Sequence, residues 1–157
     1  MEVRIMTINV LQAAKYLARK SGWKYSNLEL QKILYLCHML FLGKYDTPLL
    51  EGTFEAWMFG PVYPDLYDVL EKYGSKSVPE SAFEGIQDLD EKDYSRQIMI
   101  FDSMTNQFPH CSAGKLIRIT HWKKGAWAKR YNPGTRSLIP NRYIFEEHNV
   151  RFPEVST

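Results

Sequence analysis

The segment SNLELQKILYLCHMLFLG, residues 26–43, constrains the fold more than any other part of the chain. Ser26 and Glu29 stand at capping-box spacing, where each side chain accepts a hydrogen bond from the other's otherwise unpaired backbone N–H. Leu30, Ile33, Leu34, Cys37, Leu40 and Phe41 then recur at helical steps, and Gly43 ends the element. Little of the girth is polar. The pattern therefore predicts a helix at the centre of the core, and Cys37, lying inside it, reads as a small core hydrophobe.

The remaining elements are shorter. Val10, Leu11, Ala14, Leu17 and Ala18 predict a first helix after Thr7, stopped by Gly22. Pro48, Gly52, Gly60 and Pro61 punctuate residues 44–62 and leave room for one short strand, TFEAWMF, at residues 53–59. Pro64 suits the first position of a third helix, whose buried side is Leu66, Val69, Leu70 and Tyr73. Residues 75–88 read as an exposed connection. Asp90 is placed to cap a fourth helix beginning at Glu91 and stopped by Pro109, and Ser112 to cap a fifth. A Trp- and Lys-rich link and an NPGT turn lead to a last helix opened by Pro140, with a loose tail after Asn149. The expectation is a mainly α protein, a single compact helical domain of about six helices over residues 1–149, with a small β element around 53–59 and a flexible tail at 150–157.

A chain of 157 residues can bury a sizeable core. No apolar run approaches the roughly 18 residues of a membrane span, and the first twenty residues alternate charged with apolar positions where a secretion signal needs an unbroken greasy core. These features predict a cytoplasmic protein with no membrane partner. The net charge of +2 conceals an asymmetry: residues 80–102 carry seven acids against two bases, and residues 103–145 carry eight bases and no acid.

Candidate catalysts lack partners. Glu55 has no second carboxylate at helical or alternating spacing, and acid–base chemistry needs two groups of separated pKa. His38, His110, His121 and His148 form no metal-binding pair, and Cys37 and Cys111 form no CxxC. Cys111 with His121 lacks an orienting third group and an oxyanion hole. No glycine-rich loop cradles phosphate. The sequence offers no sign of an enzyme, a cofactor or a metal. In the 115–142 window, Lys115, Arg118, Lys123, Lys124, Lys129, Arg130, Arg136 and Arg142 alternate with Trp122, Trp127 and Tyr131. Cations with interleaved aromatics suit nucleic acid, by phosphate neutralisation and base stacking, and suit an acidic protein partner equally.

Three stretches in order, LELQKILYLCH, EGTFEAWMFGPVYPDLYDVL and LIRITHWKKGAWAKRY, carry a resemblance. Together they make the chain similar, over residues 8–145, to the Panacea domain, the family of phage-associated, SocA-like antitoxins. Matching positions are Leu30, Gln31, Lys32, Tyr35, Glu55, Trp57, Gly60, Pro61, Val62, Pro64, Tyr67, Thr120, His121 and Trp127. The resemblance implies a non-enzymatic antitoxin that binds and neutralises a toxin encoded beside it. In some relatives it implies an adaptor that delivers the toxin to a protease, such as a Clp-type complex. Two departures are visible: Lys123, Lys124 and Gly125 stand where relatives often have an acid and a proline, and no DNA-binding extension flanks the domain. The matching residues read chiefly as scaffold, because two prolines and Gly60 fix the GPVYP turn, with Gln31 and Lys32 placed to hydrogen-bond it and Glu55 as the expected partner of Lys32. For toxin contact the candidates are Trp122, Arg130, Tyr131 and Arg136, since Trp, Tyr and Arg dominate binding hot spots.

Overall fold

A computed structural model describes residues 6–153; residues 154–157, part of the expected tail, lie outside the described residues. Seven α-helices are present among them: α1 Val10–Lys20, α2 Asn27–Tyr45, α3 Pro64–Leu70, α4 Ser95–Gln107, α5 Ala113–Thr120, α6 Ala126–Arg130 and α7 Asn141–Arg151. Strands β1 Phe54–Trp57, β2 Gly60–Val62 and β3 Ser137–Ile139 form one antiparallel sheet in the order β2-β1-β3. The fold is mainly α, as the sequence predicts.

Helix α2 is the axis. Fourteen of its nineteen residues are buried, so it has no free face, and α1, α3, α4, α5, α7 and β2 all pack against it. Its capping box forms as expected: Ser26 Oγ accepts from the Glu29 N–H at 3.2 Å, and Glu29 Oε1 accepts from the Ser26 N–H at 3.1 Å. Its far end differs from expectation. Gly43 does not stop the helix, which runs to Tyr45 and closes on Asp46 in the left-handed conformation, φ 51°. Gly43 instead makes room for α7, because a Cβ there would lie 2.2 Å from the His148 ring. His38 fixes the same crossing. The Leu50 N–H donates to its Nδ1 at 3.3 Å, so Nε2 carries the proton and donates to Asn141 Oδ1 at 2.9 Å.

Local caps account for the other differences. Asn9 caps α1 by accepting from the Leu11 N–H, and the helix begins at Val10. The Asp90 carboxylate accepts from the N–H groups of Lys92 and Asp93, which closes a turn and delays α4 to Ser95. The Ser112 hydroxyl donates back to the Pro109 carbonyl and leaves α5 without a side-chain cap. The Trp- and Lys-rich link contains α6, and β3 follows the NPGT turn, where the sequence shows no alternating run long enough to mark a strand. The last helix continues past Asn149 to Arg151.

The charge asymmetry of the sequence resolves locally. Asp88 pairs with Lys15 and Arg19, and Asp102 with Lys20, so acids of the 80–102 segment are matched to α1. Among the described residues, the basic 115–142 window forms one ion pair, Lys129 with Glu146.

Candidate functional site

The β1–β2 hairpin is held from below by the first turns of α2. Pro61 has no N–H to give a sheet ladder and sits on the edge strand, where that lack is harmless. Its carbonyl accepts from Lys32 Nζ at 2.8 Å. Two residues further on, the Tyr63 N–H donates to Gln31 Oε1 at 2.8 Å, while Gln31 Nε2 donates to Asn27 Oδ1. Gly60, at φ 115°, adopts a backbone conformation that side chains disfavour, and a Cβ there would stand 3.2 Å from Lys32 Nζ.

The hairpin is held from the other side by the α5–α6 region. Trp127 Nε1 donates to the Trp57 carbonyl at 2.6 Å, and His121 Nε2 lies 3.2 Å from the Met58 carbonyl. The backbone of the tip is thereby fixed on both flanks. Its side chains are left out: Met58 is 63% and Phe59 64% exposed.

An open groove of about 960 Å³ runs between this hairpin, the start of α2, α3, the start of α5 and the loop after α6. Trp57, Met58, Phe59 and Val62 line it from the hairpin, and Tyr131 and Arg136 line it from the segment after α6. Aromatic contacts stiffen the rim. The Arg136 guanidinium lies 3.8 Å from the centre of the Trp57 ring, Trp57 packs edge-on to Tyr67 at 4.8 Å, and Tyr131 stacks on Trp127 at 4.8 Å. Phe59 and Met58 also line a second recess of about 500 Å³ with Ile117, Arg118 and His121, so the tip is a ridge between two hollows.

Lys32 is the unusual group. Although 2% exposed, it lines the groove, and burial lowers its pKa to about 7. The expected ion pair with Glu55 does not form. Glu55 faces outward and accepts from its neighbour's indole, Trp57 Nε1, at 2.9 Å. The alternation of β1 puts Glu55 and Trp57 on the face opposite Phe54 and Ala56, which pack on the core.

The sequence candidates for toxin contact divide. Tyr131 and Arg136 line the groove. Arg130 does not: its Nε donates to the Leu138 carbonyl at 2.8 Å and its guanidinium lies over Tyr143. Trp122 stands apart beside Arg151, whose guanidinium is 4.3 Å from its ring centre. Cys111 lines the large groove while His121 lines the smaller recess, and the His121 ring packs on Trp127 at 3.5 Å. Thr120 is buried with its hydroxyl donating to the Leu116 carbonyl.

Two features escape sequence reasoning. Met58 and Phe59 alternate as strand residues would, and only the turn at 58–59 shows that they stand clear of the sheet. Glu147 is 1% exposed and holds three elements: Tyr35 Oη donates to it at 2.6 Å, the Ala126 N–H at 2.9 Å, and Arg151 Nε at 2.8 Å. Burial, reinforced by the Glu147 carboxylate at 2.6 Å, raises the Tyr35 pKa. A Cβ on Gly125 would meet the Glu147 carboxylate at 3.0 Å, so that glycine is the one local trace of the site.

The family model described as antitoxin SocA-like, Panacea domain, matches residues 30–128. Antitoxin SocA of Caulobacter vibrioides (strain NA1000 / CB15N) is 31% identical over 152 residues, covering 82% of this chain and 77% of the relative. No solved structure matches the chain. Lys32 and the hairpin fall inside the matched region, whereas the first turn of α2, Tyr131 and Arg136 lie beyond it.

Proposed function

The chain belongs to the SocA-like, Panacea-domain antitoxin family, and from that premise we propose that it neutralises a cognate protein toxin by binding it directly through the hairpin tip and the groove beside it. The carrying observation is Met58 and Phe59, two large apolar side chains held in solvent on a backbone bonded from both flanks. A pre-fixed apolar ridge loses little conformational freedom on docking, and the neighbouring Trp57, Tyr131 and Arg136 are the residue types that dominate hot spots. The chain acts here without making or breaking a bond, by covering the toxin's working surface under an interface above about 1,000 Å². No helix among the described residues is long and apolar enough to cross a membrane, and the reading has both partners in the cytoplasm.

Co-expression with the product of the adjacent reading frame tests this. The product alone arrests growth, the intact chain restores it, and Phe59→Asp fails to restore it while folding normally. A harmless neighbour, or full rescue by Phe59→Asp together with Met58→Asp, overturns the reading. Delivery to a Clp-type protease is a separate step on the same surface: the toxin's half-life then shortens when the chain is present and lengthens again when the protease is deleted. The basic 115–142 window gives less support to nucleic acid, because Arg130, Arg136 and Arg142 are laid on Tyr143 and Trp57 rings rather than gathered into one strip.

A further inference from the structure

The amine of Lys32 has three donors, and one hydrogen bond is formed, to the neutral Pro61 carbonyl. Among the described residues no carboxylate lies within ion-pair distance of it. A buried ammonium without an anion is costly, and cores do not retain one for packing when Met or Leu would fill the same volume. The acid nearest in sequence on α2 is already occupied. Glu29 accepts from the Ser26 and Ser112 N–H groups and faces His110 at 3.6 Å. Glu71 lines the groove on the α3 side and is exposed, Lys24 and Arg136 are the other cations along it, and Tyr67, Tyr131 and Cys111 complete its titratable groups.

The space beside the amine is also kept open. Gly60 withholds a Cβ that would sit 3.2 Å from Nζ, and the wall is otherwise Trp57, Met58, Phe59 and Val62, a low-dielectric lining that strengthens any charge pair formed inside it. Resting on the antitoxin reading, we propose that the groove is a docking site for an apolar segment of the partner carrying one Asp or Glu, whose side-chain carboxylate reaches down to Lys32 Nζ. Charge complementarity selects this occupant: the Lys32 amine, bonded to a neutral carbonyl and to no acid, and the Arg136 guanidinium both line the groove. A side chain on a flexible stem can reach a group 2% exposed while its own backbone stays in the wider groove above. The pair formed is a charge-assisted hydrogen bond, ammonium to carboxylate.

This site has a proton signature. In the free protein burial lowers the Lys32 pKa to about 7. A bound carboxylate favours the ammonium, so above that value binding takes one proton from solvent onto Nζ, and affinity falls by about tenfold per pH unit.

The test is calorimetric titration of the full chain with the toxin encoded beside it, at pH 7.0 and 8.5, in two buffers of different ionisation enthalpy. The expected result is uptake of about one proton at pH 8.5 and an affinity about fifteenfold weaker than at pH 7.0. Both effects vanish in Lys32→Met and in one Glu→Gln or Asp→Asn variant of the toxin. Binding without proton uptake, or uptake that persists in Lys32→Met and so belongs to another groove group such as His110 or Cys111, overturns the carboxylate site and leaves the antitoxin reading standing. Should Lys32→Met fail to fold, the wild-type uptake and the toxin's acid scan decide. If the neighbouring product does not bind at all, the antitoxin reading fails. The groove is then tested with acetyl-Leu-Glu-Leu-amide against its Gln twin by tryptophan fluorescence. Tighter binding of the Glu peptide, lost in Lys32→Met, supports the site, and equal binding or none overturns it.

Discussion

Along strand β1, Phe54 and Ala56 point inward and are fully buried, whereas Glu55 and Trp57 point outward and are half-buried. On the inner face Phe54 meets Tyr35 and Tyr63 edge-on at 5.3 and 5.5 Å and the His38 ring at 5.5 Å, and every polar atom around it has an internal partner. On the outer face Trp57 meets Tyr67 and Arg136 with solvent beyond, and the strand runs out into Met58 and Phe59. The two faces are chemically alike, both rich in aromatics. What separates them is completeness: one set of rings is enclosed by α2, and the other ends at a groove. Aromatic composition alone therefore does not distinguish core from docking surface, and the distinction has to be made by perturbation.

The largest effect belongs to the inner face. Phe54→Ala removes a ring with no exposed surface and leaves a cavity against α2, at a cost of about 3–5 kcal/mol. Thermal melting should fall by about 10 °C for a domain of this size. A loss under 1 kcal/mol would show that the sheet is peripheral to the core. Glu147→Gln comes next. It keeps the volume and removes the charge that Arg151 and the Tyr35 hydroxyl require, so urea unfolding should show a loss on the order of 3 kcal/mol. No change would mean that α7 packs on α2 through apolar contact alone.

Lys32 sits between the two faces, and its signature is a slope. Burial holds its folded pKa near 7, below the ordinary 10.5, so between those values the unfolded chain binds more protons than the folded one. Its contribution to stability therefore rises with pH through that window and is flat below it. Wild type should gain on the order of 1–2 kcal/mol over Lys32→Met between pH 7 and 9, read by urea unfolding at both. Parallel pH profiles would place the amine in water and remove the reason for treating the groove floor as special.

How much of this contrast was legible beforehand depends on whether a signal is local. The capping box and the central apolar helix follow from spacing within a few residues, and they appear as read; the Gln31 contact to the turn spans 32 positions and was legible through the resemblance instead. Helix ends were misplaced where tertiary packing overrode a local rule, as at Gly43, whose lack of a side chain serves a crossing with a helix a hundred positions away. The Glu55 pairing failed for a similar reason. Strand alternation turned it outward, and the edge position of Pro61 left a carbonyl that Lys32 took instead. Glu147 gathers groups from three separate elements, and no periodicity encodes that.

The smallest effect on stability should come from the tip, and its smallness sharpens the comparison. Met58 and Phe59 bury little of their surface, so replacing both by Ser removes scarcely any transferred apolar area, and melting should move by no more than about 0.5 kcal/mol equivalent. The turn itself is held by Trp127 and His121 through backbone carbonyls that the substitutions leave in place. Partner binding, if the ridge is the docking surface, should instead weaken by at least tenfold, since two central apolar anchors of about 1–2 kcal/mol each are lost. Measured side by side with Phe54→Ala, the double substitution separates the faces along two axes: the inner ring governs folding, and the outer ridge governs association. A double mutant that melts as low as Phe54→Ala would make the tip part of the core packing after all, and one that binds its toxin undiminished would move the interface elsewhere on the molecule.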